Sequence, residues 1–520
     1  MRKWVFVVAV FFFLFMGVPA NQGQDIPFDS AKLYDVAMEF YYQGKYTESI
    51  EAFSKLIKTF PTSRSVPYAV YMIGQSYLWM GKPDNAIQQF NLYLRQYPDG
   101  DRVNEAEKAI QMAREKGKLK TSPPPTPALQ ARLPVSALSL AKKTKRRICA
   151  QIFYLDSETL EDVNKQLKEL KKAGINTLIV RVFQTKGDRP FKFVHPRCEE
   201  GVYFKTGYAP VVDDVLGQLA DISHRNELDL FAWITTRYSD FNSDGNVEHR
   251  VHSYNFETKR VEPARGLTMF HPDVVRRLEG IFRDLGRYPI EGILFQDDLI
   301  LRHNEDFGPE ANKVFLKEFG FSPYPDLFYV DPYKSEPGKY YVRAYTHQFW
   351  AWADWKNRWL MNVAQRLMTA ARSSNPKLEF GINLYYEAAL NATNSLAWFS
   401  QTLGRTQEKN FDYYAIMAYH RQTMRELNLD AQKAIDLMTE VAQRAIRSVG
   451  DPSRVMMKVQ ILDWKSYELL PAKEIDEILT SILTQGNLSL AFVPYVDQFP
   501  LQQFKGKWNE SDKTNRSPNP

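Results

Sequence analysis

Cysteine is nearly missing from this chain, with two in 520 residues, Cys149 and Cys198. That excludes a disulfide scaffold and leaves room for a single bond. No phosphate loop of the G-x-x-x-x-G-K-[ST] type occurs. The first strand-like run leads into Tyr154-Leu-Asp-Ser157, where a dinucleotide-binding fold would place glycines. Beyond the N-terminus, no run is long and apolar enough to span a bilayer. Positive charge is scarce where it would matter. Of the net +6, Arg2 and Lys3 lie at the extreme N-terminus and nine Lys/Arg crowd into 116–147, which leaves −5 on the segments expected to fold. A nucleic-acid binder carries its positive charge on a folded face, so nucleic acid is excluded as a partner.

What is present begins with a leader. A basic Met1-Arg-Lys3, an apolar stretch over 4–18 and a small-residue site at 18–20 read as a secretory signal peptide over 1–20, cleaved after Ala20. An uncleaved anchor is the alternative reading. No cysteine stands at the cleavage point to carry a lipid, so the expectation is an exported, periplasmic or envelope-associated protein. Residues 29–116 then repeat: Gly44, Ile50, Phe53, Phe60 and Pro61 return 37 positions later as Gly81, Ile87, Phe90, Tyr97 and Pro98. Helix, glycine turn, helix and closing proline is the layout of a tetratricopeptide repeat, and it resembles the periplasmic modules of envelope assembly factors. Such a module offers a docking surface for an envelope or export protein; a spacer or oligomerisation element is the alternative. Residues 117–147 read as a Pro-rich and basic linker, a solvated run or one that touches anionic lipid head groups.

From 148 to 505, strand-like and helix-like stretches alternate. Strands are predicted at 148–155, 175–183, 228–235, 290–295, 378–384, 413–418, 455–461 and 488–493, with a helix-rich insertion containing 340–371 and a disordered tail from 506. Eight strands in alternation predict an α/β fold, a (β/α)₈ TIM-type barrel with insertions. A doubly wound open sheet is the runner-up. Residues closing the strands of a barrel share its active-site mouth. Here they are Arg181 and Gln184, Trp233 and Arg237, Asp297 and Asp298, Asn383, Tyr385 and Tyr386, Tyr419 and His420, Gln460, Asp463 and Trp464, and Tyr495 and Asp497.

Carboxylates among Trp, Tyr, Asn and Gln suit a carbohydrate groove. Aromatic faces stack on sugar rings, amides bond hydroxyls, and acids move protons. Glycoside hydrolysis needs one carboxyl group to protonate the departing oxygen and a second charge to support an oxocarbenium-like transition state. Neighbouring strand residues point apart, so Asp298 is expected to be the acid and Asp297 to orient it or raise its pKa. Structural capping is the bland alternative for such a pair. Glu305 and Asp306 lie on the following loop, within reach of the site or solvated. His249 and His252 lack acidic companions, so neither metal nor cofactor is expected.

The blocks GILFQDDLILRHNED (292–306), WADWKNRWL (352–360), INLYYEA (382–388), AWFSQ (397–401), YAIMAY (414–419), VQILDW (459–464) and YVDQF (495–499) resemble glycoside hydrolase family 153, the PgaB-type hydrolases of biofilm poly-β-1,6-N-acetyl-D-glucosamine. The resemblance covers 148–505. It places Asp297 and Asp298 in the family's catalytic acid region, and Trp464, Tyr495 and Asp497 in its sugar groove. It implies internal cleavage of the partially de-N-acetylated polymer, whose cationic units suit an acidic groove. Trp233, Glu305, Asn383, Tyr385 and Tyr419 complete the expected substrate contacts. Three departures stand out. A repeat module replaces the family's deacetylase domain, so no deacetylase activity is expected. Residues 391–396 lack the family's acids, and His420-Arg-Gln replaces its acidic turn. Glu387 or Asp463 would have to substitute for a carboxylate from those loops, or the second charge would be substrate-derived, as in a substrate-assisted route. A barrel that grips the polymer without cutting it, as a scaffold of an export system, is the alternative function.

Overall fold

The computed structural model describes residues 33–118 apart from 35, 39, 42–44, 64 and 99–101, and residues 144–508 apart from 242–245, 320–321 and 337–338. The expected signal peptide and the Pro-rich stretch lie outside the described residues. The described residues form two compact units, one on each side of 119–143.

In the N-terminal unit, α1 (Tyr46–Thr59), α2 (Val66–Trp79), α3 (Pro83–Gln96) and α4 (Val103–Lys118) each pack on the next. Pro83 opens α3, where its missing N–H costs nothing. The 37-residue repeat shows in the core: Phe53 and Phe90, equivalent in the two units, are both fully buried. The Tyr71 ring packs on both Phe90 and Tyr93.

The second unit is a closed parallel barrel. Its strands are β1 (Ile148–Ile152), β2 (Thr177–Arg181), β3 (Asp229–Ile234), β4 (Gly292–Phe295), β5 (Glu379–Tyr385), β6 (Tyr413–Ala418), β7 (Val455–Gln460) and β8 (Ser489–Val493). Each pairs with the next in chain order, and Ile148 of β1 pairs with Leu490 of β8 to close the ring. Strands covered on both faces read as continuous apolar runs rather than alternating ones, and every residue of β2, β4, β6, β7 and β8 is buried. Inside the barrel, Cys149, Ile179, Phe231, Leu294, Tyr413, Met456 and Ala491 form the packed centre. Gly292 makes room for it, since a Cβ there would stand 2.5 Å from the Phe231 ring and 2.8 Å from the carbonyl of Glu379.

The last residue of the basic run does not stay in solvent. Arg147 is buried at the N-terminal end of β1, where it pairs with Asp229 (2.6 Å) and Glu379 (2.5 Å) and donates to Tyr413. Its guanidinium also lies 4.5 Å over the Phe231 ring. This charge closes the floor of the barrel.

Two antiparallel hairpins interrupt the alternation, Arg250–Asn255 with Arg260–Leu267 and Tyr329–Glu336 with Lys339–Tyr345. The second corrects the expected helix over 340–371: the helix is His347–Arg372, and 339–345 is a strand. Trp352 and Trp355 of that helix are buried against Phe307 and Phe270, so they are core rather than sugar platforms. The C-terminal end differs too. Trp508 is buried against Phe492, and its carbonyl accepts from Arg146. No helix among the described residues is long and apolar enough to cross a membrane.

Candidate active site

A cleft of about 250 Å³ opens where the strands end. Trp233 reaches it from β3, Tyr385 from the last position of β5, Lys458 from β7, and Asp297, Asp298, Tyr419 and Trp464 from the turns just beyond β4, β6 and β7. Phe153, beyond β1, completes an aromatic wall, with its ring 4.6 Å from Trp233 and stacked 6.4 Å from Trp464. Tyr419 meets Trp464 edge-on at 5.6 Å. Arg181, Asp188, Tyr238, Arg265 and Arg302 also line the cleft.

The two aspartates part company. The Asp298 carboxylate is buried and accepts from four donors of the turn after β3: the Thr235 hydroxyl (2.6 Å), the Thr236 hydroxyl (2.9 Å), the Thr236 N–H (2.9 Å) and the Tyr238 N–H (2.9 Å). With four donors already aimed at this carboxyl, a proton on it would face an N–H or O–H rather than a free acceptor. This geometry does not suit the acid role expected for it. Asp297 is half-buried and lines the cleft. Burial pushes its carboxyl above the ordinary range against the pull of Lys458, and the Asp298 charge adds to the rise. In return, burial brings the Lys458 ammonium down to about 8 despite Asp297, and that ammonium donates to Asn383 (3.0 Å).

A second acidic group faces the same cleft. Burial pushes Glu387 up to about 8, with Glu426 adding to it, and burial likewise takes Glu426 up to about 7. The Tyr386 hydroxyl bridges the two carboxyls. Both carboxyls are thus held well above the ordinary carboxylate range, and both line the cleft.

The remaining expected residues lie elsewhere. Glu305 is buried behind the site, paired with Arg237 at 3.1 Å and bonded by the Arg302 N–H; these partners hold it below the ordinary range despite its burial. The neighbouring backbone is tied by Lys356, which donates to the carbonyls of Arg302 (2.7 Å) and Glu305. Asp463 pairs with Arg425 and caps its own turn, so it is spent on structure. Tyr495 bonds Asp497, which accepts from Gln166, and neither lines the cleft. Asn383 acts through Lys458. Sequence reading missed Lys458 and Glu426. A lysine inside the apolar run Val-Met-Met-Lys-Val-Gln is the signal that marks the first, whereas Glu426 sits on a polar helix, His420–Leu427, and carries none.

A closed (β/α)₈ barrel with carboxyl groups and an aromatic wall at its C-terminal mouth has the architecture of the glycoside-hydrolase barrels. Residues 157–493 match the model described as hypothetical glycosyl hydrolase family 13, and the chain belongs to that family. Residues 33–63 and 68–100 match the tetratricopeptide repeat. Among solved structures, the PgaB (BpsB) glycoside hydrolase domain from Bordetella bronchiseptica is similar over 70% of this chain and 99% of its own, at 18% identity and a TM-score of 0.54. The catalytic domain of a β-amylase from Paenibacillus polymyxa aligns over 72% of this chain and 100% of its own, at 9% identity and a TM-score of 0.46. No curated protein matches.

Proposed function

We propose that this protein is an exported, endo-acting glycosidase of partially de-N-acetylated poly-β-1,6-N-acetylglucosamine, docked to envelope or export partners by its repeats. The observation that carries the reading is the cleft itself, where carboxyls whose pKa burial raises face an aromatic wall. Asp297 protonates the departing glycosidic oxygen, and burial, with the Asp298 charge beside it, raises its pKa toward that role. Asp298 acts as a positioning residue, anchoring the turn after β3 and raising its neighbour's pKa. Glu387 supplies the second carboxyl, since Asp463 is engaged by Arg425. Trp233, Trp464 and Tyr419 supply faces for the pyranose rings. The likeness of the barrel to the PgaB domain supports the choice of polymer.

The test is incubation of the purified protein with partially deacetylated polymer, read by mass spectrometry. Oligosaccharides of several lengths early in the reaction are expected. Polymer that is bound but never shortened would leave a polysaccharide-binding scaffold instead.

A further inference from the structure

Away from the cleft, the turn Val247–His249 ends beside the start of the helix Pro272–Leu285. His249 and His271 meet edge to face with ring centroids 4.4 Å apart. Asp273 stands with them: one ligand atom from each of the three residues lies within 4.8 Å of the others. Small side-chain rotations bring such atoms to the roughly 3–4 Å spacing of ligands that share one zinc ion. The rings are held in place. His271 caps the helix by accepting the Asp273 N–H at 3.2 Å, and Asn246 bonds His249 at 3.3 Å. The carbonyl of His249 also accepts from the Thr268 N–H at 2.8 Å. The pair considered from sequence was therefore the wrong one. The His252 backbone N–H donates to Asp306 and its ring Nδ1 lies 3.1 Å from the carbonyl of Arg250, whereas His249 meets its partners just beyond the second strand of the hairpin.

We propose that His249, His271 and Asp273 form a binding site for a divalent transition-metal ion of the zinc type, independent of the glycosidase reading. Two imidazoles and one carboxylate suit zinc, whereas calcium and magnesium take oxygen ligands. The ligands come from the two segments that flank the hairpin Arg250–Asn255 and Arg260–Leu267, so a bound ion clamps its root. That hairpin ends next to Arg265 and Tyr238, which line the cleft. The clamp thus has a structural use: it fixes one rim of the groove. One competitor is built in, because Arg276 pairs with Asp273 from the next turn of the helix and must release it.

The test uses the full chain without a polyhistidine tag, stripped by chelator, titrated with Zn²⁺ by calorimetry and assayed for bound metal after gel filtration. The expected result is one Zn²⁺ per chain, with affinity reduced at least tenfold by His249→Ala or His271→Ala and unchanged by His252→Ala. Zn²⁺ should raise the melting temperature of the wild type and of His252→Ala, but not of the two cluster variants; this comparison holds even where a variant is less stable at the outset. Arg276→Ala should bind more tightly. Absence of uptake, or equal uptake by the wild type and His249→Ala/His271→Ala, would overturn the proposal.

Discussion

Thr236 holds Asp298 twice, through its N–H at 2.9 Å and its hydroxyl at 2.9 Å. A side chain gripped in this way fixes the turn after β3 against the turn after β4, and the first prediction follows from its polarity. In Asp298→Asn, the new NH₂ must face at least one donor that the carboxylate accepted. The variant should lose about 1–3 kcal/mol of stability, read from chemical denaturation. Thr236→Val, which removes one hydroxyl donor and keeps the backbone bond, should lose about 1 kcal/mol. A fully stable Asp298→Asn protein would show that the carboxylate is not a structural anchor.

Glu387 makes the second prediction, one of pH dependence. Burial raises it from 4.5 to about 8, so over that interval the folded chain retains a proton that the unfolded chain has released. Its contribution to stability therefore falls as pH rises from about 4.5 to about 8 and is level above that. Glu387→Gln removes the dependence, and its denaturation midpoint should vary less with pH across this window. Glu426, raised to about 7, keeps part of the slope. Equal slopes for variant and wild type would contradict a neutral buried Glu387.

Arg147 sits where two carboxylates converge, Asp229 and Glu379. Arg147→Ala leaves both without their guanidinium and empties the floor of the barrel, so the expected loss is about 3–5 kcal/mol. Arg147→Lys should recover only part of it, because one ammonium cannot repeat the forked contacts with Asp229, Glu379 and Tyr413. Thermal unfolding of the full chain measures both. A wild-type melting temperature for Arg147→Ala would sink this reading of the basic run.

In the repeat unit, Gly74 on α2 lies against Phe90 of α3, and a Cβ at 74 would stand 2.7 Å from that ring. Gly74→Ala should cost about 1–3 kcal/mol by overpacking. Hydrogen exchange in the full chain should show faster exchange over 45–118 and unchanged protection in β1 to β8. Unchanged protection throughout would mean that the ring moves aside freely.

The barrel was legible because buried parallel strands are continuous apolar runs, and all eight stretches appear at or within a few residues of their predicted places. The hairpin Arg250–Asn255 and Arg260–Leu267 was not: most of its second strand is exposed, so no apolar alternation marks it. Trp233, Asp297, Tyr385, Glu387, Tyr419 and Trp464 were legible as cleft residues because each sits at or just past the end of a strand. Tyr495 and Asp497 obey the same rule yet bond each other and Gln166, a long-range contact no local pattern announces. That Asp298 is enclosed while Asp297 faces the cleft also escaped the sequence, since it depends on donors some 60 residues away.

The account stands most directly on Asp297. Release of oligosaccharides from partially de-N-acetylated polymer should be measured for the wild type and Asp297→Asn, alongside polymer binding and melting temperature. The account predicts a loss of rate of at least about 10²-fold, the contribution of a positioned general acid, with binding and stability unchanged. An Asp297→Asn protein that cuts the polymer at the wild-type rate would contradict it.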